Sequence, residues 1–279
     1  MQPEVINNTV GTWQGIHLLH FDASPCSQKV RILLNEKNID WASHHVDLRK
    51  HQHVTPWFLS INPRGVVPVL VHDGVVHVES TDIMEYVDAL PSARASFFPK
   101  GAAERAYVKE ELAFQSTLRL GTRALTVKYM PYQGGFLHNR QALHDYRKNG
   151  TPNLSRDMEI AWWQSTADSG VTREKLMESF ATHREALRRL ENRLQNREWL
   201  HGKRISVLDI AWFTTMHRLK ILGYDLSRHP YLQSYYQRML RRPAFREEMQ
   251  IKGPLKIIVQ AYRLYRSMTG SKLEDLVAD

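Results

Sequence analysis

Two short stretches carry the residue types that could do chemistry. Ser24-Pro25-Cys26-Ser27 sets two hydroxyls beside the chain's single cysteine, and Glu79-Ser80 sets a carboxylate beside a hydroxyl. Proline suits the first position of a helix, where its missing N–H costs nothing. Pro25 therefore makes Ser24 an N-cap and puts Cys26 and Ser27 in the first turn. A thiol at a helix N-terminus is favoured as thiolate, the nucleophilic form. The plainer readings are that Ser24 only caps its helix and that Cys26 is a small buried apolar residue. Glu79-Ser80 opens an apolar-periodic segment, so it stands at a second helix start, where outward N–H groups favour anions. His51 and His53 have metal-ligand character, but no third ligand stands nearby, so no metal site is expected.

The elements that position these residues are legible from punctuation and periodicity. Ile16 to Phe21 suits a buried strand, Gln28 to Lys37 has helical spacing, and Trp41 to Leu48 alternates. Trp57 to Ser60 forms a short helical turn. Pro68 lies within the apolar run Val66 to Val71; without a donor for a sheet ladder it belongs at an edge, a bulge or a cis turn. His72-Asp73-Gly74 signals a hairpin, Val75 to Val78 forms its second strand, and a helix follows over Ser80 to Leu90. Pro91 to Gly101 reads as a linker.

From Ala102 onward the pattern is helical. One long helix is expected over Ala102 to about Lys128, an interruption at Pro131 to Gly135, and a loop over Tyr146 to Ser155. A helix over Thr172 to Asn196 carries Phe180, Leu187, Leu190 and Leu194 on one face. Ser206 and Asp209 have the spacing of a capping box. Ile251 to Met268 forms an extension with Leu255, Ile258, Tyr262 and Tyr265 on one face. It is expected to pack on its own domain rather than on a membrane surface.

Composition bounds the function. The chain has 279 residues, 42% hydrophobic and 24% charged, which describes a globular protein. No apolar run is long enough to span a bilayer, and Met1 to Gly15 lacks the regions of a secretory signal. A lone cysteine fits a reducing cytoplasm. The net charge of +9 is uneven: residues 1–90 carry six Lys and Arg against ten Asp and Glu, a net −4, and the remainder a net +13. That asymmetry suggests two domains. Interleaved acids such as Arg188-Arg189-Leu190-Glu191 mark solvated helix faces, so nucleic-acid binding is not expected. A positive field still draws anionic small molecules.

The run Asn62-Pro63-Arg64-Gly65-Val66-Val67-Pro68-Val69-Leu70, a hairpin and then Glu79-Ser80-Thr81-Asp82-Ile83 resembles the glutathione S-transferase superfamily. Trp199 through Ala211 is similar to its C-terminal folding box. The resemblance implies an α/β thioredoxin-like N-terminal domain with element order β-α-β-α-β-β-α, and an all-α C-terminal domain. The segments are then a tail over 1–15, the glutathione-binding domain over 16–90, a linker over 91–101, the helical domain over 102–250 and an extension over 251–279.

It also implies a co-substrate, glutathione, and roles position by position. Ser24 aligns with the catalytic serine of the theta, phi and zeta classes, and Ser27 with a serine of the beta-etherase type. Val67, before a cis Pro68, would exchange backbone hydrogen bonds with the cysteinyl unit. Glu79 and Ser80 would take the γ-glutamyl ammonium and carboxylate, and His53 the glycine carboxylate. Val66 departs from the family's Lys or Gln there, with Lys50 or Arg64 as replacements. Ser-x-Cys looks like tetrachlorohydroquinone dehalogenase, in which the cysteine resolves a glutathione conjugate. It also looks like the zeta-class isomerases, from which Pro25 departs.

Arg119, Arg123, Tyr129 and Tyr132 would line a pocket for a hydrophobic, aromatic electrophile, and a homodimer is expected. The expected activity is substitution, ether cleavage or dehalogenation. The alternatives are a maleylacetoacetate-type isomerase and a non-catalytic binding protein. A free thiol near pKa 8.5 needs about 2.7 kcal/mol to fall about two units. One hydroxyl bonded to a charge supplies about 1.5–3 kcal/mol, so a single serine suffices.

Overall fold

The computed structural model of the chain describes residues 8–130, 139–250 and 254–277. Its four-stranded sheet has the order β2-β1-β3-β4, built from Ile16–His20 (β1), Ala42–His45 (β2), Val69–His72 (β3) and Val75–His77 (β4). β1 and β2 run parallel, which requires a crossover; helix α2, Pro25–Glu36, supplies it. The other pairings are antiparallel, with Leu19 opposite Val69 and Leu70 opposite His77. The Val67–Pro68 bond is cis, and β3 begins directly after it, where every residue again has an N–H to donate.

Asp73 and Gly74 form the two-residue turn into β4, both at positive φ (49° and 79°), the conformation that matches the strands' twist. A Cβ on Gly74 would lie 2.3 Å from the Gly11 carbonyl oxygen, so the close approach itself demands glycine. Gly11 ends a helical turn, α1 (Asn8–Gly11), within the expected tail. Its Val10 is fully buried with Leu19, Phe21, Val46, Phe58 and Val69. Helices α3 (Pro56–Ile61) and α4 (Ser80–Ala89) complete the predicted β-α-β-α-β-β-α order. Lys37, which ends α2, donates to the Asp88 carbonyl of α4 at 2.5 Å, and both side chains are buried.

The chain divides into two compact units, Met1–Ala93 with Gly134–Gly170, and Arg94–Gln133 with Val171–Asp279. The first thus includes a helical segment that chain order alone would not assign to it. That segment holds α7 (Arg140–Lys148) and α8 (Leu154–Ser169). Its Leu143, Tyr146 and Ile160 pack with Val54 and Leu59. The expectation of a loop from Tyr146 is corrected here. Tyr146 is 1% exposed in α7, and only the residues between the two helices are irregular.

In the second unit the expected single helix is two, α5 (Ala102–Thr117) and α6 (Arg119–Tyr129), broken at Leu118. The Thr117 hydroxyl donates back to the Phe114 carbonyl, a local bond that competes with helix continuation. Helix α9 (Arg173–Leu194) buries Phe180, Leu187, Leu190 and Leu194 as its periodicity predicts. Helices α10 (Val207–Leu222), α11 (Pro230–Leu240) and α12 (Pro243–Glu248) follow.

The extension is α13 (Pro254–Met268), but its packed face differs from the expected one. Val259 is buried and Tyr265 is exposed, while the Arg266 guanidinium lies 4.6 Å from the Tyr129 ring. Among the described residues, no helix is long and apolar enough to cross a membrane.

Candidate active site

Three neighbouring strands bring the singled-out residues to one end of the sheet. With Leu19 opposite Val69, the turn that leaves β1 lies beside the cis peptide that enters β3. With Leu70 opposite His77, the segment leaving β4 runs to the same end and delivers Glu79-Ser80. The N-termini of α2 and α4 therefore converge there, two sets of outward N–H groups suited to anions.

Ser24 is the N-cap of α2, half-buried, and its Oγ accepts from the Ser27 N–H at 3.3 Å. That bond uses an acceptor lone pair and leaves the hydroxyl proton uncommitted. The turn is held from below. Ser24 N–H donates to the Phe21 carbonyl at 3.0 Å. The buried Arg31 donates to the carbonyls of Phe21 (3.2 Å) and Asp22 (2.9 Å) and to His20 Nδ1 (2.8 Å). Because that nitrogen accepts, His20 is the neutral tautomer that donates from Nε2 to Ser43 Oγ, 2.7 Å away. Burial, then the neighbouring Arg31 charge, push its pKa down to about 4.

Ser27 is fully buried, and its Oγ accepts from the Phe21 N–H at 3.4 Å. The bond ties its hydroxyl oxygen to the backbone of the turn. Cys26 is half-buried. Behind it lies Lys29, 3% exposed, whose pKa burial lowers and the nearby Cys26 raises in part.

The Asn62–Pro68 loop is built by one side chain. Asn62 is 4% exposed; its Nδ2 donates to the Val66 carbonyl at 2.8 Å and its Oδ1 accepts from the Arg64 N–H at 3.2 Å. Gly65 has φ +61°, and a Cβ there would meet the Tyr146 ring at 2.9 Å, so only glycine lets the loop pass. Val67 is buried, and among the described residues its N–H and C=O make no hydrogen bond to the chain.

Glu79 sits at φ 65°, ψ 113°, a conformation that costs a non-glycine residue of order 1–3 kcal/mol and is retained where the surroundings enforce it. Its side chain does not cap α4; it pairs instead with Arg64. Ser80 is the first residue of α4 and is half-buried. His53 is buried 6.3 Å from the His51 ring, with its carbonyl against Gly65. Among the described residues, no group of three His, Cys, Asp or Glu is arranged to hold a metal.

Of the residues expected to meet the electrophile, Arg119 and Arg123 are half-buried on α6 of the second unit. Tyr129 is 6% exposed beneath Arg266, which makes it part of that unit's packing. Tyr132 lies outside the described residues. Sequence reasoning missed the clamp Arg31 and the buried Glu159, which pairs with Arg64 at 3.2 Å. Only the helical spacing of Arg31 after Ser27 and the apolar neighbours Ile160 and Trp162 could have hinted at them.

Residues 23–90 match the family model of the glutathione S-transferase N-terminal domain, and residues 156–243 that of its C-terminal domain. Together they cover more than half of the chain. The chain belongs to the glutathione S-transferase superfamily.

Among its relatives in this enzyme family is glutathione S-transferase TCHQD of Arabidopsis thaliana, 24% identical over 83% of this chain and 88% of that one. Protein LigF of Sphingobium sp. is 28% identical over 83% of this chain and 92% of that protein. The crystal structure of beta-etherase LigF superposes with a TM-score of 0.72, covering 84% of this chain and 98% of that one at 24% identity. This confirms the superfamily fold that the N-P-R-G-V-V-P run implies.

Proposed function

We propose that this glutathione S-transferase binds glutathione across the converging ends of β1, β3 and β4 and activates its thiol with Ser24. The observation that carries the reading is the convergence itself: a hydroxyl at one helix start and a backbone at Val67 that, among the described residues, donate to no group of the chain, and Glu79-Ser80 at a second helix start. The cysteinyl unit would lie extended along Val67 and exchange two main-chain bonds with it. The γ-glutamyl end would meet Glu79 and Ser80, and the glycine end would lie toward His53. Ser24 Oγ–H would donate to the thiolate, aided by the α2 N-terminus, which adds roughly 0.3–2 kcal/mol for an anion.

The thiolate then attacks a hydrophobic, aromatic electrophile by substitution, ether cleavage or dehalogenation, a choice supported by the similarity to a beta-etherase. Arg119 and Arg123 remain the candidates for contact with that substrate. The protein would act as a cytoplasmic homodimer, its lone cysteine suiting a reducing compartment.

Cys26 supports a second reading, in which it resolves a glutathione conjugate through a mixed disulfide, because it is half-buried beside the buried Lys29. One experiment separates these. Glutathione is titrated into the protein while binding heat and thiolate ultraviolet absorbance are followed, for the wild type, Ser24→Ala and Cys26→Ala. The first reading expects binding by all three and loss of the thiolate band only in Ser24→Ala. Binding without any thiolate band would instead identify a non-catalytic binding protein. Full turnover by Cys26→Ala across aromatic ethers and halides would sink the mixed-disulfide reading.

A further inference from the structure

Arg64 is held between two carboxylates of very different exposure. Glu79, at the start of α4, has a side chain 52% exposed, whereas Glu159, on α8, is 3% exposed. Arg64 donates to Glu79 through Nη1 and to Glu159 Oε1 through Nη2, the latter at 3.2 Å. Burial opposes its charge, but the Glu79 and Glu159 carboxylates outweigh that and raise its pKa further.

The backbone of Arg64 is held from the same side, since the Tyr146 hydroxyl of α7 donates to its carbonyl. Arg156 in turn donates to the carbonyls of Tyr146, Arg147 and Asn149, and its guanidinium lies 5.3 Å from the Tyr146 ring. Helices α7 and α8 thus grip both the main chain and the side chain of one loop residue.

A buried carboxylate is costly unless it is paired with well-placed donors. A guanidinium can serve two carboxylates because its donors lie in a rigid plane. Glu159 therefore fixes where that plane stands, and Glu79 and the α4 N-terminus lie beside it. An α-amino acid presents an ammonium and a carboxylate on one carbon. A fixed anion next to a fixed cation is its complement.

We propose that Glu159 is a positioning residue for the γ-glutamyl end of glutathione. It holds Arg64 against Glu79, so that the α-ammonium meets Glu79 while the α-carboxylate meets Arg64 and the first turn of α4. This rests on the glutathione reading above. Selectivity for a free γ-glutamyl α-carboxylate is thereby set by a side chain 95 residues away in sequence.

The test compares glutathione with γ-aminobutyryl-cysteinyl-glycine, which keeps the ammonium and lacks that carboxylate, by titration calorimetry on the full chain. Wild type is expected to prefer glutathione by about tenfold or more, the worth of one charge-assisted bond. Glu159→Gln and Arg64→Gln should each weaken glutathione by about tenfold while changing the analogue by less than about threefold, so the preference collapses. For Glu159→Gln, KM for glutathione rises while kcat at saturating glutathione falls far less. Glu159→Asp keeps the charge, tests the same ratio if Gln unfolds the chain, and should restore part of the preference.

A wild type that binds neither peptide overturns the glutathione reading and the positioning role with it. A wild type that binds glutathione, with a preference that both variants leave intact, overturns the positioning role alone. Equal weakening of both peptides also overturns it, since a merely structural role would act so.

Discussion

Ser24 and Ser206 each cap a helix, and the two starts differ in what they leave unsatisfied. Ser206 opens α10 in a closed arrangement. Asp209 Oδ2 accepts from the Ser206 N–H at 2.7 Å and its hydroxyl at 2.8 Å, while Oδ1 accepts from Leu200 N–H at 3.0 Å and Tyr235 OH at 2.9 Å. Asp209 is wholly buried, and four donors of the chain converge on its carboxylate. Ser24 opens α2 with Ser27 in place of an acid at the third helical position, a 3.3 Å cap, and a half-buried hydroxyl. The first start stabilises the fold. The second leaves the helix N-terminus without an internal anion, which is the condition for accepting one from outside. A serine at a helix start thus becomes a candidate for chemistry when the acid that would complete the box is missing.

That contrast can be broken in four ways. Asp209→Ala should do the most damage, because several buried donors lose their acceptor at once, at about 1–3 kcal/mol each. Urea denaturation should show the loss of much of the folding stability, and an unchanged midpoint would refute the closed-box account. Ser24→Ala should invert the pattern. Losing a bond to the thiolate worth about 1.5–3 kcal/mol lowers kcat/KM by roughly 10- to 150-fold. It also raises the pKa of the bound thiol by about one to two units. Its stability should fall by no more than about 0.5–2 kcal/mol, as for an ordinary cap. Equal losses of stability and activity would return Ser24 to the role of a plain cap.

Ser206→Ala is the matched control. It should cost about 1 kcal/mol in the same denaturation series and leave the bound-thiol pKa where it was; a shift in that pKa would blur the contrast. The smallest effect concerns pH. The folded pKa of His20, about 4, lies below its unfolded value of 6.5. Between these values the unfolded chain binds the extra proton, so this contribution to stability is complete above about pH 6.5 and is lost as pH falls toward 4. Thermal melts of the wild type should therefore slope downward across that window, and His20→Asn should flatten part of the slope. Parallel slopes would show that His20 is not the group that ties the Arg31 clamp to pH.

How much of this could be read from the chain depended on the range of the interaction involved. Pro25 marked the start of α2, and Ser206 with Asp209 marked that of α10, because caps are settled within four residues. Pro68 marked the beginning of β3 for the same reason, a missing donor at that very position. The break at Leu118 escaped the periodicity, since a single residue's backbone turn hardly disturbs the phase of apolar positions. Tyr146 was misread because Gly150, Pro152 and Asn153 drew the loop several residues too early, while its burial against Val54 and Leu59 is a tertiary fact. Ser24 and Ser27 are alike as letters; only the fold buries one and leaves the other half-open.

The sequence by itself determined the β-α-β-α-β-β-α order of elements, a position at Pro68 with no donor for a sheet ladder, and the helix starts at Ser24 and at Glu79-Ser80. Each follows from local backbone chemistry that proline, glycine and capping residues impose wherever they stand. Only the tertiary structure decided that residues 134–170 join the first unit and that Glu159 meets Arg64. It also decided that Arg31 grips the turn below Ser24. Those outcomes turn on which buried charges find partners and which apolar faces meet, and such pairings are selected by packing across the whole unit rather than by any stretch of neighbouring residues.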